Sequence, residues 1–153
     1  MDTITLNWSG PYSLNQTTPK EIRGKKGLYA TASDSRIIFV GKALHGKGIF
    51  REAKEGRLPT YWEGLRKLKV VSEERPAWYK LQDDVFKHCS LYAGVASREE
   101  LPHVEGAEKL LIYKIKPIRN EKYIKRYEGP ASFQLINGGN PPPGLAQRIQ
   151  SPI

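Results

Sequence analysis

The chain has 153 residues, of which 39% are hydrophobic and 27% are charged. That length and composition predict one globular domain with its own core and exclude wholesale disorder. No apolar run approaches the roughly 18 residues that span a bilayer, and the first residues lack the basic and apolar regions of a signal peptide, so we expect a cytoplasmic protein without membrane contacts.

Charge and cysteine usage restrict the partners. The 25 Lys and Arg residues outnumber the 16 Asp and Glu residues, and the formal charge of +9 favours an anionic partner such as nucleic acid. Cys89 is the only cysteine, which excludes a disulfide within the chain, and the three histidines are too scattered for a zinc site. We therefore expect any metal ion to have oxygen ligands, and we expect no small-molecule cofactor.

The N-terminal third predicts strands. Residues 4–19 indicate a short strand that leads into a turn. Alternating apolar and polar side chains, a turn and then β-branched side chains follow one another over residues 27–40, which is typical of a β-hairpin. With a three-residue loop, Tyr29 would lie opposite Phe39 on the same face of this hairpin.

Helices dominate the middle of the chain. A short helix is predicted from Ile49 to Glu55, before Gly56. Residues 60–87 predict a helical insertion, with a basic helix at 61–69 and a second helix after Pro76. Residues 88–97 return to the alternation of a strand.

The next helix places one carboxylate among apolar side chains. Apolar residues recur at helical spacing from Val104 to Ile115, Glu108 lies within that stripe, and Pro117 ends the helix. A buried carboxylate needs a partner, because an unpaired buried charge is unstable. Glu108 therefore either pairs with a neighbouring Lys or Arg, or binds a hard cation such as Mg²⁺, for which one or two protein carboxylates suffice.

The C-terminal part, residues 129–153, is rich in Gly and Pro, and we expect an extended tail that packs on the surface or is partly mobile. The whole chain, residues 1–153, is thus predicted to be one α+β domain with a core at about 26–120. Its sheet is expected to be small, central and mainly antiparallel, with about three strands flanked by helices.

The order of four short motifs resembles one known family. Gly27-Leu28-Tyr29 is followed ten residues later by Phe39-Val40-Gly41, and this pair is similar to the tripeptides that name the GIY-YIG nucleases. The stretch 39–43 is especially similar to the nuclease domain of the bacterial excision-repair incision subunit. Downstream, Glu108 precedes an apolar pair, and Asn120 follows a proline twelve residues later, as in that family.

The resemblance implies a divalent-metal-dependent endonuclease that hydrolyses phosphodiester bonds in DNA with Mg²⁺ or Mn²⁺. It implies that Tyr29 orients or deprotonates the attacking water and that Glu108 is the protein ligand of the metal. It also implies that Lys42 contacts the scissile phosphate or lowers the pKa of the tyrosine. It also implies that Arg51 binds the non-bridging phosphate oxygens, with Arg57 as a less favoured substitute. A strand tyrosine, a solvated lysine and a surface ion pair between Arg51 and a glutamate are the structural alternatives.

The resemblance implies substrate-positioning roles for Phe39, Gly41, His45 and Asn120. The structural alternatives are a loop histidine with no catalytic role at position 45 and a simple turn asparagine at position 120. Phe39 departs from the pattern because it replaces a tyrosine and removes one hydroxyl from the site. That hydroxyl is either dispensable, or replaced, or its loss reduces activity. The replacements considered are Tyr12, His45 and Tyr61.

Two other functions stay open at this point. One is a catalytically impaired nucleic-acid-binding module of the same fold, and the other is a basic protein-interaction or RNA-associated domain in which Glu108 pairs with a structural cation. Three basic clusters provide a track for phosphates in any of the nucleic-acid hypotheses. They comprise Lys20, Arg23, Lys25 and Lys26; Arg66, Lys67 and Lys69; and Lys114, Lys116, Arg119, Lys122, Lys125 and Arg126.

Overall fold

A computed structural model describes residues 2–152, which form one mixed sheet with helices on both faces. The strands are β1 (Asp2–Ser13), β2 (Gly27–Ser33), β3 (Arg36–Ala43), β4 (Ser90–Val95), β5 (Phe133–Gly139) and β6 (Arg148–Gln150). The helices are α1 (Ile49–Lys54), α2 (Leu58–Lys67), α3 (Trp78–His88) and α4 (Val104–Ile115), and short 3-10 turns occur at Lys20–Ile22 and Arg98–His103.

The sheet has six strands in the order β3-β2-β4-β1-β5-β6, so the expectation of about three strands is wrong. Its neighbours are antiparallel except for β1 and β5, which run parallel. Two parts of the chain account for the difference. The N-terminal strand extends over 12 residues, and the C-terminal part contributes β5 and β6.

The Gly- and Pro-rich end of the chain is therefore no surface tail. Strand β5 pairs with β1 from Asp2 opposite Phe133 to Trp8 opposite Gly139. The indole N–H of Trp8 donates a hydrogen bond of 2.8 Å to the side-chain oxygen of Asn137, and both residues are buried. The sequence pattern did not predict β5 because turn residues flank it. Its parallel partner, β1, also lies more than a hundred residues away in the sequence.

Strand β2 lies between two hydrophobic cores, and every one of its residues is buried. Leu28 faces the core that β1, β5 and α4 share, and Tyr29 faces the core formed with α1, α2 and α3. The hairpin β2–β3 and the two helices in the 60–87 segment match the sequence predictions. None of the helices in residues 2–152 has the length and apolar character needed to cross a bilayer.

The register of the hairpin differs from the prediction by two residues near the motifs. Tyr29 lies opposite Gly41 and Thr31 lies opposite Phe39. A two-residue loop, in which Asp34 adopts a left-handed conformation with φ of 52°, accounts for one residue of this difference. A bulge between Thr31 and Ala32, where β3 has an extra residue, accounts for the other. A shift of two keeps each side chain on its face, so the rings of Tyr29 and Phe39 remain neighbours, with centroids 6.2 Å apart.

Candidate active site

The residues that resemble the nuclease motifs border a cavity of about 510 Å³ at the outer edge of β3. Four parts of the chain form its wall: the end of β3, the connection from α1 into α2, the middle of α4, and the segment after α4. The lining residues are Phe39, Val40, Gly41, Lys42, Glu52, Arg57, Thr60, Glu108, Ile112, Arg119, Asn120, Glu121, Lys122 and Tyr123.

Asn120 joins the segment after α4 to the edge of the sheet. Its side-chain oxygen accepts a hydrogen bond of 2.9 Å from the backbone N–H of Val40, and its side-chain amide donates one of 2.9 Å to the carbonyl of Val40. The backbone N–H of Arg119 donates to the carbonyl of Ile38 at 2.8 Å. Because β3 is an edge strand, these bonds satisfy backbone groups that the sheet leaves unpaired. Asn120 thus holds the loop in place.

Glu108 projects from α4 into the cavity. Its side chain is only 12% exposed, and the nearest cation in its ion pairs is Lys42, whose Nζ lies 3.8 Å from Oε1. Burial raises the pKa of Glu108 above its ordinary value, and Lys42 opposes that effect in part. Within residues 2–152 its carboxylate accepts no hydrogen bond from another side chain or from the backbone, so its oxygens keep free lone pairs.

Lys42 is held between two carboxylates. Its Nζ lies 3.2 Å from Oε1 of Glu105, closer than it lies to Glu108. Partial burial lowers the pKa of Lys42, but the two glutamates outweigh burial and raise the pKa above its ordinary value. The side chain is therefore a stable cation on the cavity wall.

Tyr29 lies behind this wall and is fully buried. Its hydroxyl oxygen makes no hydrogen bond to any described residue. Burial raises the pKa of Tyr29 to about 12, although the nearby Arg57 guanidinium partly opposes the rise. At neutral pH the phenol therefore keeps its proton, so it can orient a water molecule but cannot act as a phenolate base.

Gly41 is the point at which Tyr29 approaches the cavity. A Cβ at position 41 would overlap the phenol Cζ and hydroxyl oxygen of Tyr29. The glycine of the second motif is thus required by close approach of a ring and not by its backbone dihedral angles. The Arg57 guanidinium, which lines the cavity, also lies near the phenol.

Arg51 does not line this cavity. Its Nη2 lies 2.6 Å from Oε1 of Glu55, one helical turn later, and the side chain borders a separate cavity of about 800 Å³ on the other side of α1. Arg57 faces the candidate site instead, with its guanidinium carbon 5.0 Å from the ring centroid of Phe39. Helix α1 ends at Lys54, so Arg57 reaches the site from the connection to α2 and not from α1.

The side chains considered as sources of a second hydroxyl lie elsewhere. Tyr61 donates to the carbonyl of Ala53 from within the core, where burial raises the pKa of Tyr61 well above its ordinary value. Tyr12 donates to the hydroxyl of Ser9 at 2.9 Å. His45 is exposed in the turn after β3 and does not line the cavity.

Several lining residues had no predicted role in the site, whereas Arg119 and Lys122 belong to the third predicted basic cluster. Those without a predicted role include Glu52, Thr60, Ile112, Glu121 and Tyr123. The signal available for Glu121 and Tyr123 was their position directly after Asn120, since a residue fixed to the edge strand brings its chain neighbours to the same place.

Comparisons with protein-family models, curated proteins and solved structures give no significant match. The interpretation of the cavity depends on its own geometry.

The donor atoms present fit one type of metal site. In the described part of the chain, no three His, Cys, Asp or Glu residues lie close enough together to hold an ion. A cage of several protein ligands is therefore not formed there. Mg²⁺ commonly uses one or two protein carboxylates and retains several waters, and the free lone pairs of Glu108 on a cavity wall suit that mode.

Proposed function

We propose that this protein is a divalent-metal-dependent endonuclease of the GIY-YIG type, which hydrolyses phosphodiester bonds in DNA. The observation that supports the proposal best is the meeting of Lys42, Arg57 and Glu108 on one cavity wall, with the phenol of Tyr29 directly behind Gly41. Residues 66 positions apart in sequence, Lys42 and Glu108, come within 3.8 Å of each other.

Each side chain has a role that its position allows. Arg57 offers a planar fork of donors to the non-bridging oxygens of the scissile phosphate, and Lys42 adds a second positive charge. Both stabilise the negative charge that grows as water attacks phosphorus. Tyr29 keeps its proton, and once Arg57 turns onto the phosphate, its phenol orients the attacking water by hydrogen bonding. A magnesium or manganese ion on Glu108 would stabilise the charge on the phosphate and on the leaving oxygen.

The basic segment beside the cavity supports a polyanionic substrate. Arg119 and Lys122 line the cavity, and Lys125 and Arg126 are exposed a few residues later. These cations extend the positive surface away from the reaction centre, where the flanking phosphates of a nucleic acid would lie. We propose the cytoplasm as the compartment in which such an enzyme meets DNA.

The nuclease hypothesis is tested by nicking of supercoiled plasmid with Mg²⁺ or Mn²⁺. Glu108→Gln keeps the shape of the side chain and removes its charge, and Glu99→Gln is the matched control at an exposed glutamate outside the cavity. We expect nicking by the wild type and by Glu99→Gln, and none by Glu108→Gln or in the presence of EDTA. Equal nicking by all three proteins indicates a contaminating nuclease and contradicts the proposal.

A second candidate is a nucleic-acid-binding module that lacks activity. Two observations favour it: Phe39 has no hydroxyl, and Lys42 approaches Glu108 closely enough to act as its structural partner. This alternative predicts that the wild type binds duplex DNA without cutting it under any metal. It also predicts that Glu108→Gln binds DNA as tightly as the wild type.

A further inference from the structure

We propose that Tyr123 supplies the second catalytic hydroxyl of the site, in place of the one that Phe39 lacks. The inference rests on the proposed nuclease function. It assigns to Tyr123 direct contact with the attacking water, which Tyr29 alone would otherwise orient.

Tyr123 has access to the cavity. Tyr123 is a lining residue together with Lys42 and Glu108, and it is partly exposed, whereas the ring of Tyr29 is fully buried. The phenol of Tyr123 is also close enough to Lys42 to influence the pKa of that ammonium. Among the tyrosines of residues 2–152, only Tyr123 combines a place on the cavity wall with exposure to solvent.

The backbone of Tyr123 is strained. Tyr123 has φ of 67°, a left-handed conformation that is rare for a bulky aromatic residue. Such strain persists only where the surroundings enforce it, and it concentrates at functional sites. Here the strained residue is one that lines the cavity.

The segment around Tyr123 is fixed on both sides of that residue. Asn120 binds Val40 on one side, as described above. On the other side, the Nζ of Lys116 donates to the carbonyl of Ile124 and to that of Tyr113, the latter at 3.0 Å. The ring of Tyr123 also lies under the Nζ of Lys109, which is 5.4 Å from its centroid. Anchors of this kind preorganise a side chain for transition-state contacts.

The chemistry needs no proton transfer by Tyr123. The water oxygen forms the new bond to phosphorus, and the proton lost by the water goes to solvent. The bond from phosphorus to the leaving sugar oxygen breaks with its electron pair on that oxygen, which takes up a proton from solvent. The Tyr123 hydroxyl accepts a hydrogen bond from the water and so directs its lone pair at phosphorus. Loss of one hydrogen bond to a group that gains charge is expected to slow the reaction about 10- to 100-fold.

The test measures single-turnover cleavage of a labelled duplex with Mg²⁺, together with the Kd for DNA in Ca²⁺ and the Tm. The variants are Tyr123→Phe, the double variant Tyr123→Phe with Phe39→Tyr, and the control Tyr113→Phe, which changes a partly buried tyrosine of α4 outside the cavity. We expect Tyr123→Phe to lose about 10- to 100-fold in the cleavage rate, with Kd and Tm unchanged. The double variant should recover most of the rate, and Tyr113→Phe should cleave like the wild type.

Cleavage by Tyr123→Phe within about twofold of the wild type overturns the inference and leaves the nuclease proposal standing. The same holds if the slower cleavage is accounted for by weaker DNA binding or a lower Tm, since Tyr123 would then be structural. A double variant as slow as Tyr123→Phe overturns the assignment of both hydroxyls to the same water. Absence of metal-dependent cleavage by the wild type overturns the nuclease proposal and this inference with it.

Discussion

The phenol of Tyr29 occupies the volume that a Cβ of Gly41 would fill, so the two halves of the hairpin motif depend on each other. Gly41→Ala must displace the ring from a closely packed core. We expect a loss of about 1–3 kcal/mol in the free energy of unfolding in urea, because the strain of overpacking a core typically costs that much. We also expect a lower cleavage rate. Gly138→Ala is the control, since a Cβ there meets no atom closer than 3.7 Å. Equal stability of the two variants would contradict this account of Gly41.

Asn120 can be tested by removing only one of its two hydrogen bonds. Asn120→Asp keeps an acceptor for the N–H of Val40 and replaces the donor to the carbonyl of Val40 by a second acceptor. We expect a loss of about 1–3 kcal/mol in unfolding free energy, the range for a buried group left without its partner. Asn15→Asp, at an exposed asparagine, should change stability by less than about 0.5 kcal/mol. If the two changes were equivalent, Asn120 would not hold the loop to β3.

The arginine that serves the site is Arg57 by geometry, whereas motif spacing favours Arg51. Arg57→Ala is expected to lower kcat about 10²- to 10³-fold, as removal of a donor to a developing oxyanion does. Arg51→Ala breaks only an exposed pair with Glu55, which contributes little, and should leave kcat within about twofold of the wild type. Steady-state cleavage of a defined duplex distinguishes them, and the reverse order of effects would show that motif spacing, and not the cavity, identifies the arginine.

Sequence patterns were sufficient to predict those elements whose structure depends on neighbouring residues. The helix with Glu108 on its apolar face and the hairpin that contains both motifs follow from periodicity within a dozen residues. The predicted hairpin register was wrong by two residues, since the register depends on a positive φ at Asp34 and on a bulge between Thr31 and Ala32. Strand β5 escaped detection because five alternating residues, Phe133 to Asn137, are flanked by glycine and proline and pair with a distant strand.

The site was predictable to the same extent. Lys42 and Glu108, which the motifs predict to lie together, come within 3.8 Å of each other because each belongs to a regular element whose face the alternation or the helical period defines. Arg57 and Tyr123 lie in connections, where the direction of a side chain follows from tertiary anchors such as Asn120. No local pattern contains that information.

The pKa of Glu108 makes a prediction for stability without metal. Because burial raises its pKa in the folded protein, the folded state binds the proton more tightly than the unfolded chain does. The contribution of Glu108 to stability is therefore fully present below the pKa of an unfolded glutamate and is lost as pH rises through the raised folded value. In EDTA at neutral pH, Glu108→Gln should thus have a higher Tm than the wild type. One kcal/mol shifts the Tm of a domain of this size by about 2–4 °C, so the gain should be of that order or smaller.

The measurement for this prediction is the difference in unfolding free energy between wild type and Glu108→Gln, followed from about pH 4 to pH 7. Subtracting the two curves removes the contribution to the unfolding free energy of the groups that titrate in both proteins. The advantage of the variant should grow with pH. If the variant instead became relatively less stable as pH rose, Glu108 would be a stabilised ion-pair partner of Lys42 and not a carboxylate poised for a metal.

The dependence of the single-turnover cleavage rate on Mg²⁺ concentration tests most directly whether one divalent ion on Glu108 supports phosphodiester hydrolysis. We expect saturation with a Hill coefficient of about 1 in the wild type and no metal-dependent cleavage in Glu108→Gln at any concentration. A wild type that binds the duplex but never cleaves it, or a Glu108→Gln variant with the same metal dependence as the wild type, would contradict this role of the ion.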